Sequence, residues 1–164
     1  MPALSRPIRT ATTLAALFAA TPALAQGAAR APDSGDGAWI LISSALVLLM
    51  TMPGLTLFYG GLVRTKNALS VMVQVGAIAA VASLLWVVCG YSMAFGTVTN
   101  GWLGSGNALM LAGLAKVRTG YALPENTYAL FQLCFAAITP GLMVGAWVDR
   151  ARFGWVVAFS ALWG

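Results

Sequence analysis

Three long stretches of this chain carry no charge. Residues 37–63, 67–115 and 126–148 contain no Asp, Glu, Lys or Arg. The first and third have the length a helix needs to cross a ~30 Å hydrocarbon core, about 20 residues at 1.5 Å each. A backbone in lipid must satisfy its own hydrogen bonds, so the expected fold is an all-α, polytopic membrane helix bundle. Composition agrees: 60% of residues are hydrophobic and 8% charged, against roughly a quarter charged in a soluble domain. A soluble domain of this size and a disordered chain are both incompatible with that balance. The pI near 9.8 does not indicate nucleic acid, because the nine basic residues form no run and no basic face.

The middle stretch is too long for one helix. Residues 96–107 are rich in Gly, Thr, Asn and Ser, so that helix is expected to end near Phe95. Residues 96–125 then form a long outer loop, whose apolar NALMLAGLA piece (107–115) is expected on the membrane interface. A fourth apolar segment opens at Phe153. About twelve residues cannot cross the core, so residues 37–164 are expected to hold three spans and the start of a fourth, as the N-terminal part of a longer polytopic protein.

Residues 1–25 read as a secretory signal peptide: Arg6 and Arg9, an apolar run at 12–20, then Pro22 before Ala23-Leu24-Ala25. The alternative, an uncleaved first span, needs a longer run than this. Residues 26–36 are small and polar and read as an extracytoplasmic tail. Cleavage after Ala25 places the mature N-terminus outside. Positive charge marks the inner side, so the loops RTKN (64–67) and DRAR (149–152) should lie inside. Lys116 and Arg118 in the outer loop oppose this bias, with Glu125 nearby.

No enzyme constellation is present. The chain has no histidine, which removes the commonest metal ligand and the commonest general base. No nucleophile with a base, phosphate loop or metal cluster is found, so neither a metal nor a cofactor is expected. Gly104-Ser105-Gly106 is loop composition, because no strand precedes it. Cys89 and Cys134 read as small buried hydrophobes. No ionisable residue lies within the three complete spans.

Pro53-Gly54 falls mid-span, where proline removes a backbone hydrogen bond and kinks a helix. Such breaks can also line a site. Pro140-Gly141 lies similarly in the third span, and Gly141 with Gly145 forms a G-x-x-x-G pair suited to close helix contact. Phe131 and Phe135 are one turn apart and share a face, with Gln132 as polar neighbour. They are either packing residues or an aromatic gate under an outer vestibule, where aromatic faces attract cations and a constriction rejects hydrated ions. The residue pattern leaves both readings open.

Residues 52–74, MPGLTLFYGGLVRTKNALSVMVQ, resemble the first-span signature of the ammonium transporter (Amt/Mep/Rh) family. LWVVCGYSMAFG (85–96) is similar to the end of the family's second span, FQLCFAAIT (131–139) to the start of its third, and VDRARF (148–153) to the following loop. The resemblance implies about eleven spans in an inverted repeat, assembled as a homotrimer with one narrow pore per subunit. It implies ammonium/ammonia as substrate. Phe131 matches the aromatic of an outer recruitment site. Phe135 matches one of two stacked pore phenylalanines, the second coming from the other half. The family's pore histidines, site tryptophan and site serine match positions beyond residue 164. Asp149 stands where many relatives carry Glu. A bacterial inner-membrane location and a cytoplasmic PII-type regulator are also implied. The alternative function is an ammonium-sensing membrane domain of a signalling protein.

Overall fold

A computed structural model describes residues 31–98 and 101–163 of the chain. The expected signal peptide and residues 26–30 of the expected tail lie outside these. Three helices are long and apolar enough to cross a membrane: α1 (Ser34–Leu62), α2 (Thr65–Phe95) and α3 (Glu125–Trp147), followed by the shorter α4 (Phe153–Trp163). No named strand occurs among the described residues, where two isolated β-bridges stand in the loop between α2 and α3. The all-α reading is therefore observed, and α2 ends at Phe95 as expected.

The helix starts follow local chemistry. Asp33 caps α1, its carboxylate accepting from the backbone N–H of Gly35 at 2.7 Å and of Asp36 at 3.2 Å. That cap starts the helix at Ser34, ahead of the uncharged stretch. Inside α1 the expected proline kink takes the form of a π-helical turn over Met50–Leu55. Pro53 has no N–H to give and its ring needs room against the preceding turn, and a widened turn accommodates both. Pro140 does not stop α3, which runs to Leu142 before a turn at Met143.

Helix α2 is central, touching α1, α3 and α4. Its buried residues Val71, Gln74, Val75, Ile78, Ala79 and Ala82 recur at helical spacing and form one stripe. Val71, Val75 and Ile78 pack with Leu55 of α1, Ile138, Val144 and Trp147 of α3, and Val156 of α4. A second cluster at the other end joins Tyr91, Ala108, Leu114 and Ala129. Here the loop departs from expectation. The 107–115 piece bends through left-handed backbone at Met110 (φ 55°) and Leu111 (φ 57°), and Ala108 and Leu114 turn inward onto Tyr91 and Ala129 while Leu109 and Met110 stay exposed. Part of this segment buries its apolar surface in the protein, not on the membrane interface. Cys134 is buried and Cys89 half-buried, and both are free thiols.

The glycine pair in α3 does what its spacing suggested. An added Cβ would stand 3.4 Å from Leu55 Cδ1 at Gly141 and 2.8 Å from Tyr59 Cε1 at Gly145. Tyr59 cannot swing away freely, because its hydroxyl donates to the Leu142 carbonyl at 2.6 Å. Gly145→Ala is therefore expected to destabilise the bundle by about 1–3 kcal/mol, the usual cost of overpacking. Gly141→Ala should change little. Equilibrium unfolding in mixed micelles checks this; equal stability of both variants and the parent would show that α1 and α3 are not in close contact.

Candidate functional site

The two ends of the bundle differ in charge. Asn67 Nδ2 donates to Asp149 Oδ1 at 2.7 Å, so the loops at 64–67 and 149–152 meet at one end. That end carries Arg64, Lys66, Arg150 and Arg152 against the single carboxylate Asp149. At the other end, the Asp33 N–H donates to the Ala122 carbonyl at 2.8 Å, tying the start of α1 to the long loop. This end carries Lys116 and Arg118 against Asp33, Asp36 and Glu125. Arg118, which ran against the charge bias, is paired with Glu125 at 2.7 Å. Its charge is thereby neutralised locally, and the bias between the ends remains.

The sequence-derived site residues lie toward this second end. The rings of Phe131 and Phe135 are 5.0 Å apart between centroids and inclined at 77°. They share a face, and they meet edge to face, so they do not stack on each other. Gln132 and Phe135 line an open cleft of about 400 Å³ with Trp86, Phe95, Thr139 and Trp163 among its other walls. Phe131 is half-buried beside that cleft and is not among its lining residues. Phe135 is 41% exposed, so its ring presents a free apolar face.

Above the cleft lies an aromatic cluster that sequence reasoning missed. Trp86 contacts Tyr91 and Phe95 edge to face, at 5.8 and 6.1 Å between centroids. Phe95 in turn meets Tyr128 at 5.4 Å. A regular α-helix separates positions 86 and 91 by about 140° around its axis. The π-helical turn over Trp86–Gly90 brings Tyr91 back over Trp86. The Trp86 indole N–H donates to the Ala129 carbonyl at 3.2 Å, which fixes α2 against α3. Arg118 lies across the cluster, its guanidinium 3.7 Å from the centre of the Tyr128 ring and 5.2 Å from that of Phe95. The cluster thus already holds a cation from its own chain. The available signal was the density of aromatic residues at 86–95 with a Tyr at 128. Pairing them required the π turn, which has no sequence signature here.

With this geometry in hand, comparison with known proteins is decisive. The model of the Ammonium Transporter Family matches residues 38–164. The chain belongs to the ammonium transporter family. A putative ammonium transporter of Methanothermobacter thermautotrophicus is 42% identical over 134 residues, covering 80% of this chain and 33% of the relative. An ammonium transporter of Aquifex aeolicus is 39% identical over 132 residues, covering 80% and 31%. Among solved structures, a variant of Candida albicans Mep2 matches with a TM-score of 0.71 at 35% identity, over 80% of this chain and 29% of that one. Saccharomyces cerevisiae Mep2 matches with a TM-score of 0.69 at 33% identity, over 80% and 31%. The chain thus spans about a third of the length of the relatives it matches. Its apolar helices and its family together make it a multi-pass membrane protein.

Proposed function

We propose that this chain supplies the first third of a transmembrane ammonium/ammonia transporter, with residues 1–25 as a signal peptide and the mature N-terminus outside. The observation that carries this reading is the family match over 38–164. The charge asymmetry of the bundle supports the orientation, since basic loops stay inside. The working unit is a homotrimer in the bacterial inner membrane, open to a PII-type regulator on its basic side. Phe131 contributes to the outer aromatic recruitment site, Phe135 narrows the path below it, and Gln132 offers a polar group between them. Stacking on Phe135 then needs a ring from another part of the pore, because Phe131 meets it edge-on.

The test is methylammonium uptake in transporter-deficient bacteria, normalised to folded protein. A chimera in which residues 31–163 replace the matching third of the Aquifex aeolicus transporter should restore uptake, and the chain alone should not. In the chimera, Phe131→Ala is expected to weaken apparent affinity by about 0.5–2 kcal/mol, the range for a cation over an aromatic face. That is up to about thirtyfold. Phe135→Ala should alter maximal rate and selectivity more than affinity, because it removes an obstruction. If both variants match the parent per folded molecule, the pair is packing and the site assignment fails.

A further inference from the structure

We infer that Glu125 is a specificity-determining residue of the cleft beside Phe135: its carboxylate cancels the charge of Arg118 behind the cleft wall, so that the cleft accepts a cation. The inference rests on the reading of that cleft as part of an ammonium path. Glu125 acts through the field alone and does not touch the substrate.

The wall locates the charge. Trp86 and Phe95 line the cleft, whereas Arg118 and Glu125 do not. The Arg118 guanidinium lies 5.2 Å from the centre of the Phe95 ring and 3.7 Å from that of Tyr128. Phe95 is therefore shared between the cleft and the arginine. A cation seated against that ring from the cleft would stand about 10 Å from a full positive charge, within one Debye length at 0.1 M salt. The material between them is aromatic, so it screens less than water does. An uncancelled Arg118 would repel every cation that entered.

Glu125 cancels that charge at contact distance. Its Oε1 is 2.7 Å from Arg118 Nη1, and this is the one ion pair among the described residues. The same oxygen accepts from the Tyr91 hydroxyl, and the residue is buried, so the carboxylate is fixed in place. The other acids near this end do not replace it. Asp33 uses its carboxylate to cap α1 through the N–H groups of Gly35 and Asp36, and Asp36 makes no ion pair. Arg118, in contrast, is held by more than Glu125. Its backbone N–H donates to the Leu123 carbonyl at 3.0 Å, and its guanidinium lies over the Tyr128 ring. Exchanging the carboxylate for an amide of the same shape thus leaves the cation behind the wall with nothing to oppose it.

Charged thiol reagents read the field directly. The whole chain is prepared in a mild nonionic detergent with Cys89→Ala and Cys134→Ala, which removes both cysteines, and with Gln132→Cys as a probe on the cleft wall. Its reaction rates with a trimethylammonium-bearing and a sulfonate-bearing methanethiosulfonate are compared. Both reagents meet the same thiolate, so the ratio of rates cancels its pKa and leaves the local potential. Adding Glu125→Gln is expected to lower the cation-over-anion ratio about tenfold at low salt. Raising the salt to about 0.5 M should remove most of that change. Arg118→Gln with Glu125→Gln should return the ratio to within about threefold of the parent. Mere damage to the loop would leave the double variant as altered as the single one. A probe at Thr65→Cys, in the loop at 64–67, should change by less than about twofold, since that end lies beyond the Debye length. Helical circular dichroism checks the fold. If Glu125→Gln alone does not fold, Arg118→Glu with Glu125→Gln decides: it keeps a carboxylate and loses the guanidinium, so its ratio should exceed the parent's. An unchanged ratio in Glu125→Gln, no recovery in the double variant, an equal shift at Thr65→Cys, or a ratio at or below the parent's in the exchanged pair would overturn the role of Glu125. Uptake by the chimera is a separate readout: its loss with the field as expected counts against the proposed function, and its presence with the field unchanged counts against Glu125.

Discussion

Trypsin should cut the Glu125→Ala chain after Lys116 and Arg118 about a hundredfold faster than the parent. Glu125 is 7% exposed, yet it carries a carboxylate. Its position is tolerable because one oxygen accepts both the Arg118 guanidinium, at 2.7 Å, and the Tyr91 hydroxyl. It also lies in the first turn of α3, where backbone N–H groups favour an anion. Removing the carboxylate leaves the hydroxyl of Tyr91, a residue 2% exposed, without its acceptor, which costs about 1–3 kcal/mol. It also strands Arg118. A fully buried pair broken in this way loses about 3–5 kcal/mol. The Arg118 side chain is 22% exposed, so solvent recovers part of that, and a total near ~3 kcal/mol is reasonable. The loss falls on the loop, whose backbone returns to α3 through the Arg118 N–H on the Leu123 carbonyl and the Glu125 N–H on the Lys116 carbonyl. Proteolysis follows the population of the opened segment when opening is fast, and ~3 kcal/mol is about two decades. Glu125→Gln keeps an acceptor for Tyr91 and should fall between the two. An unchanged cleavage rate in Glu125→Ala would mean that the ion pair does not hold the loop.

Gly104→Ala should cost about 3 kcal/mol or more of stability where the loop meets the end of α2, beyond the usual range for a single added methyl. Gly104 pairs with Val98 in an antiparallel bridge, and its N–H donates to the Met93 carbonyl at 2.9 Å. A Cβ there would run into the Ser92 carbonyl oxygen and stand 3.0 Å from both the Gly96 nitrogen and the Met93 oxygen. All three are backbone atoms at the end of α2, so no rotamer change relieves the contact. The same few atoms hold the loop down: Ser92 Oγ donates to the Ser105 carbonyl at 3.0 Å and accepts from the Ala108 N–H at 3.1 Å. Pushing Gly104 outward breaks these as well. Gly101 is the control. It has φ +75° and open space around it, so Gly101→Ala carries backbone strain alone, about 1–2 kcal/mol. Hydrogen exchange at the Ala108 amide separates them. Protection there should fall by at least tenfold more in Gly104→Ala, and equal losses would show that the close approach is not what fixes the loop.

The spans, their approximate ends, the two basic loops and the glycine contact were all readable along the chain. Each depends on a local property: absence of charge, a helix-breaking composition after Phe95, or small residues at i and i+4. The family signature was readable too, because residues 52–74 keep their order and spacing. The pairing of Arg118 with Glu125 was not. Seven positions apart, one in a loop and one in a helix, these residues meet only because the loop folds back through Leu123 and Lys116.

The sequence by itself determined that this chain must be helical and apolar enough to cross a membrane, since a charge-free backbone in lipid has few other ways to satisfy its hydrogen bonds. It also determined which residues share a helical face, Phe131 with Phe135 among them. Tertiary structure alone decided what those faces meet. Lipid tails and neighbouring helices are equally apolar, so hydropathy cannot tell a lipid-facing side chain from a packed one. Small departures from the α period do the rest. The π turn at Trp86–Gly90 brings Tyr91 onto Trp86, and Glu125 and Arg118 onto Tyr91. A one-residue widening of a helix is a compromise among long-range contacts, and its cause lies in the neighbours it brings together.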